Sequence, residues 1–190
     1  MSSILLTGPA VEPLSLDDAR SFLRVEHGDD DPLIAALIVS ARMHVEGQGK
    51  TALISQDWRI VLDCWPHHGR IAVRPGPLKA LKAARVYDCH GQPQTIDTQA
   101  FVPDRGASTL AFMPWTMPVP GRIAAGIELD VTVGFGDAAA DVPEPLRQAI
   151  RLLVAHWYEN RGGLVAAADK STVLPSTVAA LISSYRVLSL

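Results

Sequence analysis

Hydrophobic periodicity switches twice along this chain, from helical spacing to strict alternation and back. Between residues 122 and 135, Ile123, Ala125, Ile127, Leu129, Val131, Val133 and Phe135 take every second position, opposite Arg122, Glu128, Asp130 and Thr132. A period of two is that of a strand with one buried face. On either side, apolar residues recur every three or four positions, the spacing of a helix with one buried stripe. Strands gathered in the middle, with helices before and after, imply an α+β class: a helical core of three to four helices, an inserted antiparallel β module and a C-terminal helical tail. The expected division is a helical core at 1–54 and 138–162, the β module at 55–137, and a linker with a last helix at 163–190.

The front of the chain carries two helix starts. Residues 1–13 read as an extended arm, since Pro9 and Pro13 bar a helix. Ser15 has capping-box spacing to Asp18, and Leu16, Ala19, Phe22 and Leu23 share one face up to a stop at Gly28. Asp29, Asp30 and Asp31 then precede Pro32, an acidic cap cluster with proline in the first turn. The helix that follows, to about Gly47, is apolar on most sides, with Leu33, Ile34, Leu37, Ile38, Val39 and Met43 spread around it. Such a helix needs cover from several directions, by its own domain or by another copy of the chain.

The middle holds short strands broken by turn residues. Trp58, Ile60, Leu62 and Cys64 alternate with Asp57, Arg59, Val61 and Asp63, and further strands are expected over 70–74, 83–88, 96–102 and 109–113. Pro75-Gly76-Pro77 and His90-Gly91-Gln92-Pro93 mark turns, and a bend is expected near Gly126 because fourteen residues exceed an ordinary strand. Short strands at this spacing suggest a small antiparallel sandwich or barrel. Asp141 and Glu144 then open the strongest helix, with Leu146, Ala149, Ile150, Leu153, Val154 and Trp157 as its stripe and Gly162-Gly163 at its end. A loose stretch over 164–172 leads to Pro175 and a last helix with Val178, Leu181, Ile182 and Tyr185 at helical spacing.

Composition narrows the function. With 190 residues, 48% of them hydrophobic and 19% charged, the chain is built to fold around a core. A net charge of −3 leaves no sequence-wide basic field to hold phosphates. Two cysteines are too few for a disulfide framework. The first residues lack the basic flank and apolar run of a signal peptide, and no apolar run is long enough for a membrane span, so synthesis in the cytoplasm without membrane insertion is expected.

Candidate chemistry is thin. Cys64, His67, His68, Cys89 and His90 offer zinc-ligand types, but their spacing matches no paired-ligand module. No metal or cofactor is expected. His156, Tyr158 and Glu159 share the strong helix, where His156 and Glu159 make a simple i,i+3 surface pair. Neither a nucleophile motif nor a Gly-rich phosphate loop accompanies them, so no catalytic residues are assigned. Arg70, Arg74, Lys79, Lys82 and Arg85, with Trp65 as a stacking platform, form the alternative reading, a small nucleic-acid-binding module around the Pro-Gly-Pro turn.

Three segments in order resemble a known family: "LSLDDARSFLRVEHGDDDPLIAALIVSARMHVE", "VPEPLRQAIRLLVAHWYENRG" and "LPSTVAALISSYR". Together they are similar to the head–tail connector (head-completion adaptor) proteins of long-tailed bacteriophages and gene transfer agents. The resemblance implies a virion structural protein that forms a ring, commonly of twelve copies, under the portal protein. Such a ring extends the DNA channel without specific DNA binding and receives a stopper or tail-completion protein. It implies no catalytic residues. In that setting the C-terminal helix is expected to dock on the portal or a neighbouring subunit through Val178, Leu181, Ile182, Tyr185 and Arg186; the alternative is that it packs on its own core.

Overall fold

The computed structural model describes residues 1–160 and 176–185, which fall into two compact units. One unit joins residues 1–10 to 55–135; the other joins residues 11–54 to those after 135. The α+β class is as expected.

In the first unit, strands β1 (Ser2–Thr7), β2 (Gln56–Leu62), β8 (Ile127–Val133), β4 (Leu78–Tyr87) and β5 (Pro93–Ile96) pair side by side in that order, every pair antiparallel. β3 (Arg70–Ala72), β7 (Thr109–Phe112) and β6 (Phe101–Asp104) make a second antiparallel sheet. Ile60, Leu62, Ile127, Leu129, Val131 and Val133 are buried on one face of the first sheet, as alternation dictates. Trp65, Phe101 and Phe112 form an aromatic cluster with ring centroids 5.1–6.0 Å apart, in the tilted geometry that ring quadrupoles favour.

Three expectations need correction here. Residues 1–10, read as an arm of the helical core, are paired through β1 onto β2 and group with the β unit. The long strand over 122–135 is shorter: β8 begins at Ile127, Ile123 is 99% exposed, and Ala125 sits at φ +53°. The cause is the ladder itself. Ile127 faces Leu62 and Val86, near the ends of β2 and β4, and no neighbour remains to pair with residues before it. Cys64, placed inward by extrapolating the β2 alternation, lies beyond the strand end and is exposed.

The second unit is helical. In α1 (Leu16–Leu23) the Ser15 hydroxyl accepts the Asp18 N–H at 3.1 Å, the expected cap, and the helix stops at Arg24 in the left-handed region, before Gly28. Phe22, expected on the inner face, is 42% exposed. α2 (Asp31–Gly49) carries Pro32 in its first turn but receives no side-chain cap. The Asp triplet instead ties elements together. Asp30 accepts the Tyr158 hydroxyl, Asp31 meets Arg20 at 3.5 Å, and Asp29 faces His27.

α3 (Glu144–Glu159) buries Leu146, Ala149, Ile150, Leu153 and Val154, the expected stripe. Its expected capping box does not form, because Asp141 turns back to accept the Ala138 N–H. Trp157 meets the His44 ring edge-on at 6.0 Å, fixing α3 against α2. α4 (Ser176–Ser183) closes the unit. The expected helix stop at Gly162-Gly163 and the linker after it lie outside the described residues.

Candidate assembly surfaces

The C-terminal helix was the expected docking element, and the structure divides its residues. Val178 is fully buried and Ile182 is 3% exposed, on the side where α4 meets α3 and α2. A methyl of Ile182 comes within 3.7 Å of the position a Cβ on Gly49 would occupy. Leu181 and Tyr185 are half-buried and line an open groove of about 500 Å³ with Pro145, Thr177, Ala180 and Ser184. Arg186 lies outside the described residues. Two of the five residues are therefore committed to their own unit, and two face a shallow apolar groove.

Other apolar surface stands free. Along α2, Leu33, Val39 and Met43 are 36%, 37% and 62% exposed, with Ala35, Ala36 and Ser40 exposed between them. Arg42 is turned away from this face. Its guanidinium is 10% exposed and reaches Glu12 and Glu46 at 2.8 Å each, while Glu46 also accepts the Leu53 N–H. In the β unit, the segment between β7 and β8 exposes Met113, Trp115, Val119 and Ile123, although Met117 within it is buried. Pro114, Pro118 and Pro120 interrupt this segment, so no hydrophobic period marks it in the sequence. β1, an edge strand, exposes Ile4, Leu5 and Leu6.

Part of the basic run is matched by carboxylates of its own unit. Arg85 and Arg59 converge on Asp130 and Glu128, with Arg59 Nε 2.7 Å from Asp130 and Tyr87 donating to Glu128 at 3.0 Å. Burial works against the charge on Asp130, but hydrogen bonds from Arg59 and Arg85 outweigh it and hold the carboxyl below its ordinary value. Lys82 binds Asp57 at 2.6 Å, and that hydrogen bond lowers the Asp57 carboxyl too. Lys79 bonds Ser55 and Arg70 lies 4.0 Å from Asp104. Trp65, the expected stacking platform, is only 9% exposed, its indole N–H donated to the Pro118 carbonyl at 2.9 Å. Arg85 and Lys82 of the basic run and the Trp65 ring are thus engaged inside the β unit, whereas Arg70 stays largely exposed and the Arg74 guanidinium has a nitrogen without a partner among the described residues.

The expected absence of a metal set was argued from spacing. Among the described residues, no three His, Cys, Asp or Glu side chains gather where one ion would reach them. His156 is approached by the Asn160 amide. Among the described residues, no helix is long and apolar enough to cross a membrane.

Among the described residues, the prominent surface features are exposed apolar faces on two packed units. No protein-family model matches the chain, and no curated protein does. Solved structures do. The chain is 25% identical, at TM-score 0.82, to a component of the neck of an empty GTA particle computed with C6 symmetry. It is 25% identical, at 0.81, to a component of the virion of a native gene transfer agent (GTA) particle, and 26% identical, at 0.77, to one of a native GTA neck computed with C12 symmetry. Each similarity covers 100% of this chain and 97% of the other. In class, then, this is the fold of a structural component of virions, and in particular it resembles the neck components of gene transfer agents, the resemblance to head–tail connectors that the sequence carries.

Proposed function

We propose that this chain is a head–tail connector of a gene transfer agent or a related phage-like particle. Copies form a ring, of twelve in the particle, beneath the portal protein; the ring extends the DNA channel and receives a stopper or tail-completion protein. The observation that carries this reading is end-to-end similarity, in both units, to neck components of gene transfer agent particles. A ring of twelve is compatible with both the C6 and the C12 symmetry with which those necks were computed.

The surfaces suit the role. A closed ring needs two different patches on each copy, and the apolar faces supply them. A near-neutral chain in which Arg59, Arg85 and Lys82 are matched by carboxylates offers little to hold duplex DNA as it passes. The reading assigns no catalytic role. The groove beside Leu181 and Tyr185 is the portion of the C-terminal helix left for the portal or a neighbouring subunit. The test is deletion of the chain in particle-producing cells. Filled heads lacking tails, rescued by the chain supplied separately and visible in the neck by cryo-electron microscopy, are expected. Intact tailed particles without the chain overturn the reading.

A further inference from the structure

The segment between β7 and β8 is built as a rigid apolar knob. Trp115, Val119 and Ile123 are 80%, 87% and 99% exposed, and no charged side chain occurs from Gly106 to Gly121. Yet the segment is held at several points along its length. Met117 is buried, the Pro118 carbonyl accepts the Trp65 indole N–H, and the Gly121 N–H donates to the Tyr87 carbonyl at 2.8 Å. Arg122 lies 4.1 Å over the Tyr87 ring and donates to the Gly91 carbonyl, and the Ala125 N–H donates to Asp63 at 2.7 Å. Gly121 runs so close to the β4–β5 turn that a Cβ there would lie 2.2 Å from the Cys89 nitrogen. Side chains presented this way lose little freedom on binding, which is how exposed aromatic groups become binding anchors.

The same chain carries an uncharged helix face that none of the described residues of its own unit covers. Along α2, Leu33, Val39 and Met43 stand out at helical spacing with small side chains between them, and the one charged residue of these turns, Arg42, points inward. We propose that the β7–β8 knob of one copy seats on the α2 face of the next copy around the ring. This rests on the head–tail connector reading.

Three observations select a second copy as the occupant. The knob and the face are different surfaces, so each copy uses both once, as a cyclic arrangement demands and a two-fold dimer does not. Solved necks of similar components were computed with cyclic symmetry. The knob offers apolar area on the order of 600 Å², a large part of the roughly 800 Å² that each partner of a stable interface buries. A nucleic acid is excluded as the occupant because no free cation stands on the knob to meet a phosphate; Arg122 is already stacked and hydrogen-bonded.

Site-directed cross-linking in particles tests it. The exposed Cys64 and Cys89 are first replaced by serine. Chains carrying Val119→Cys and chains of different length carrying Met43→Cys are then made together in cells lacking the original chain. After oxidation, purified particles should contain a disulfide-linked pair of one long and one short chain, at least tenfold above either variant alone. Trp115→Asp and Met43→Asp should each cut incorporation into necks at least tenfold while leaving the melting temperature of the isolated chain unchanged, since both side chains are exposed. Necks that contain the chain but give no mixed cross-link, or cross-link equally through Met43→Cys alone, overturn this contact and leave the connector reading standing. Particles that never contain the chain defeat the connector reading itself.

Discussion

Arg42 is the residue on which the entry into the helical unit converges. One guanidinium, 10% exposed, joins Glu12 before α1 to Glu46 on α2, and Glu46 in turn holds the Leu53 backbone. Removing one partner of such a pair leaves uncompensated charge in a poorly hydrated place. Arg42→Ala should therefore cost about 3 kcal/mol in urea unfolding. Arg42→Lys, which keeps the charge but loses the fork, should recover only part of it. Asp130 and Asp57 contribute to the acid sensitivity of the β unit. Both carboxyls are held below their ordinary values in the folded chain, so their stabilisation is complete above the unfolded value near pH ~3.9 and is lost as pH falls through the lower folded values. Asp130→Asn should lower stability at neutral pH and flatten the decline below about pH 4 in thermal melts.

At the scale of elements, α3 was the most legible part, because five residues of one stripe had a single physical solution. Leu153→Ala in that stripe should cost about 3 kcal/mol, the usual price of a core cavity. Strand alternation was read correctly where a partner strand existed and overextended where none did. Ile123 and Ala125 continue the period of β8, but pairing ends at Ile127, and periodicity alone says nothing about where a neighbour stops. Caps misled for a related reason. Asp30 and Asp141 have the right chemistry for helix starts, yet Tyr158 and the Ala138 amide compete for them. The knob between β7 and β8 was invisible to periodicity, since proline-rich segments carry no repeat; a count of consecutive uncharged residues would have found it. The pairing of β1 depends on a partner some fifty residues away, which no local pattern encodes.

For the whole molecule, the connector reading predicts weak interaction with its cargo. The chain carries 17 lysine and arginine residues against 20 acids, and Lys82 and Arg85 of the basic run in the β unit are already matched by carboxylates. Duplex DNA titrated against the isolated chain in fluorescence anisotropy should bind no tighter than ordinary non-specific contact, with a shallow salt slope. A slope steep enough to imply many phosphate contacts would restore the nucleic-acid module. Three cations and three anions alternate on the outward side of the larger sheet: Arg59, Lys82 and Arg85 against Asp57, Glu128 and Asp130. A lattice of that kind has no monopole. Its potential fades over a distance comparable to the strand spacing, shorter still than the roughly 8 Å allowed by physiological salt. To any polyelectrolyte at greater range, this face of the sheet is electrically silent.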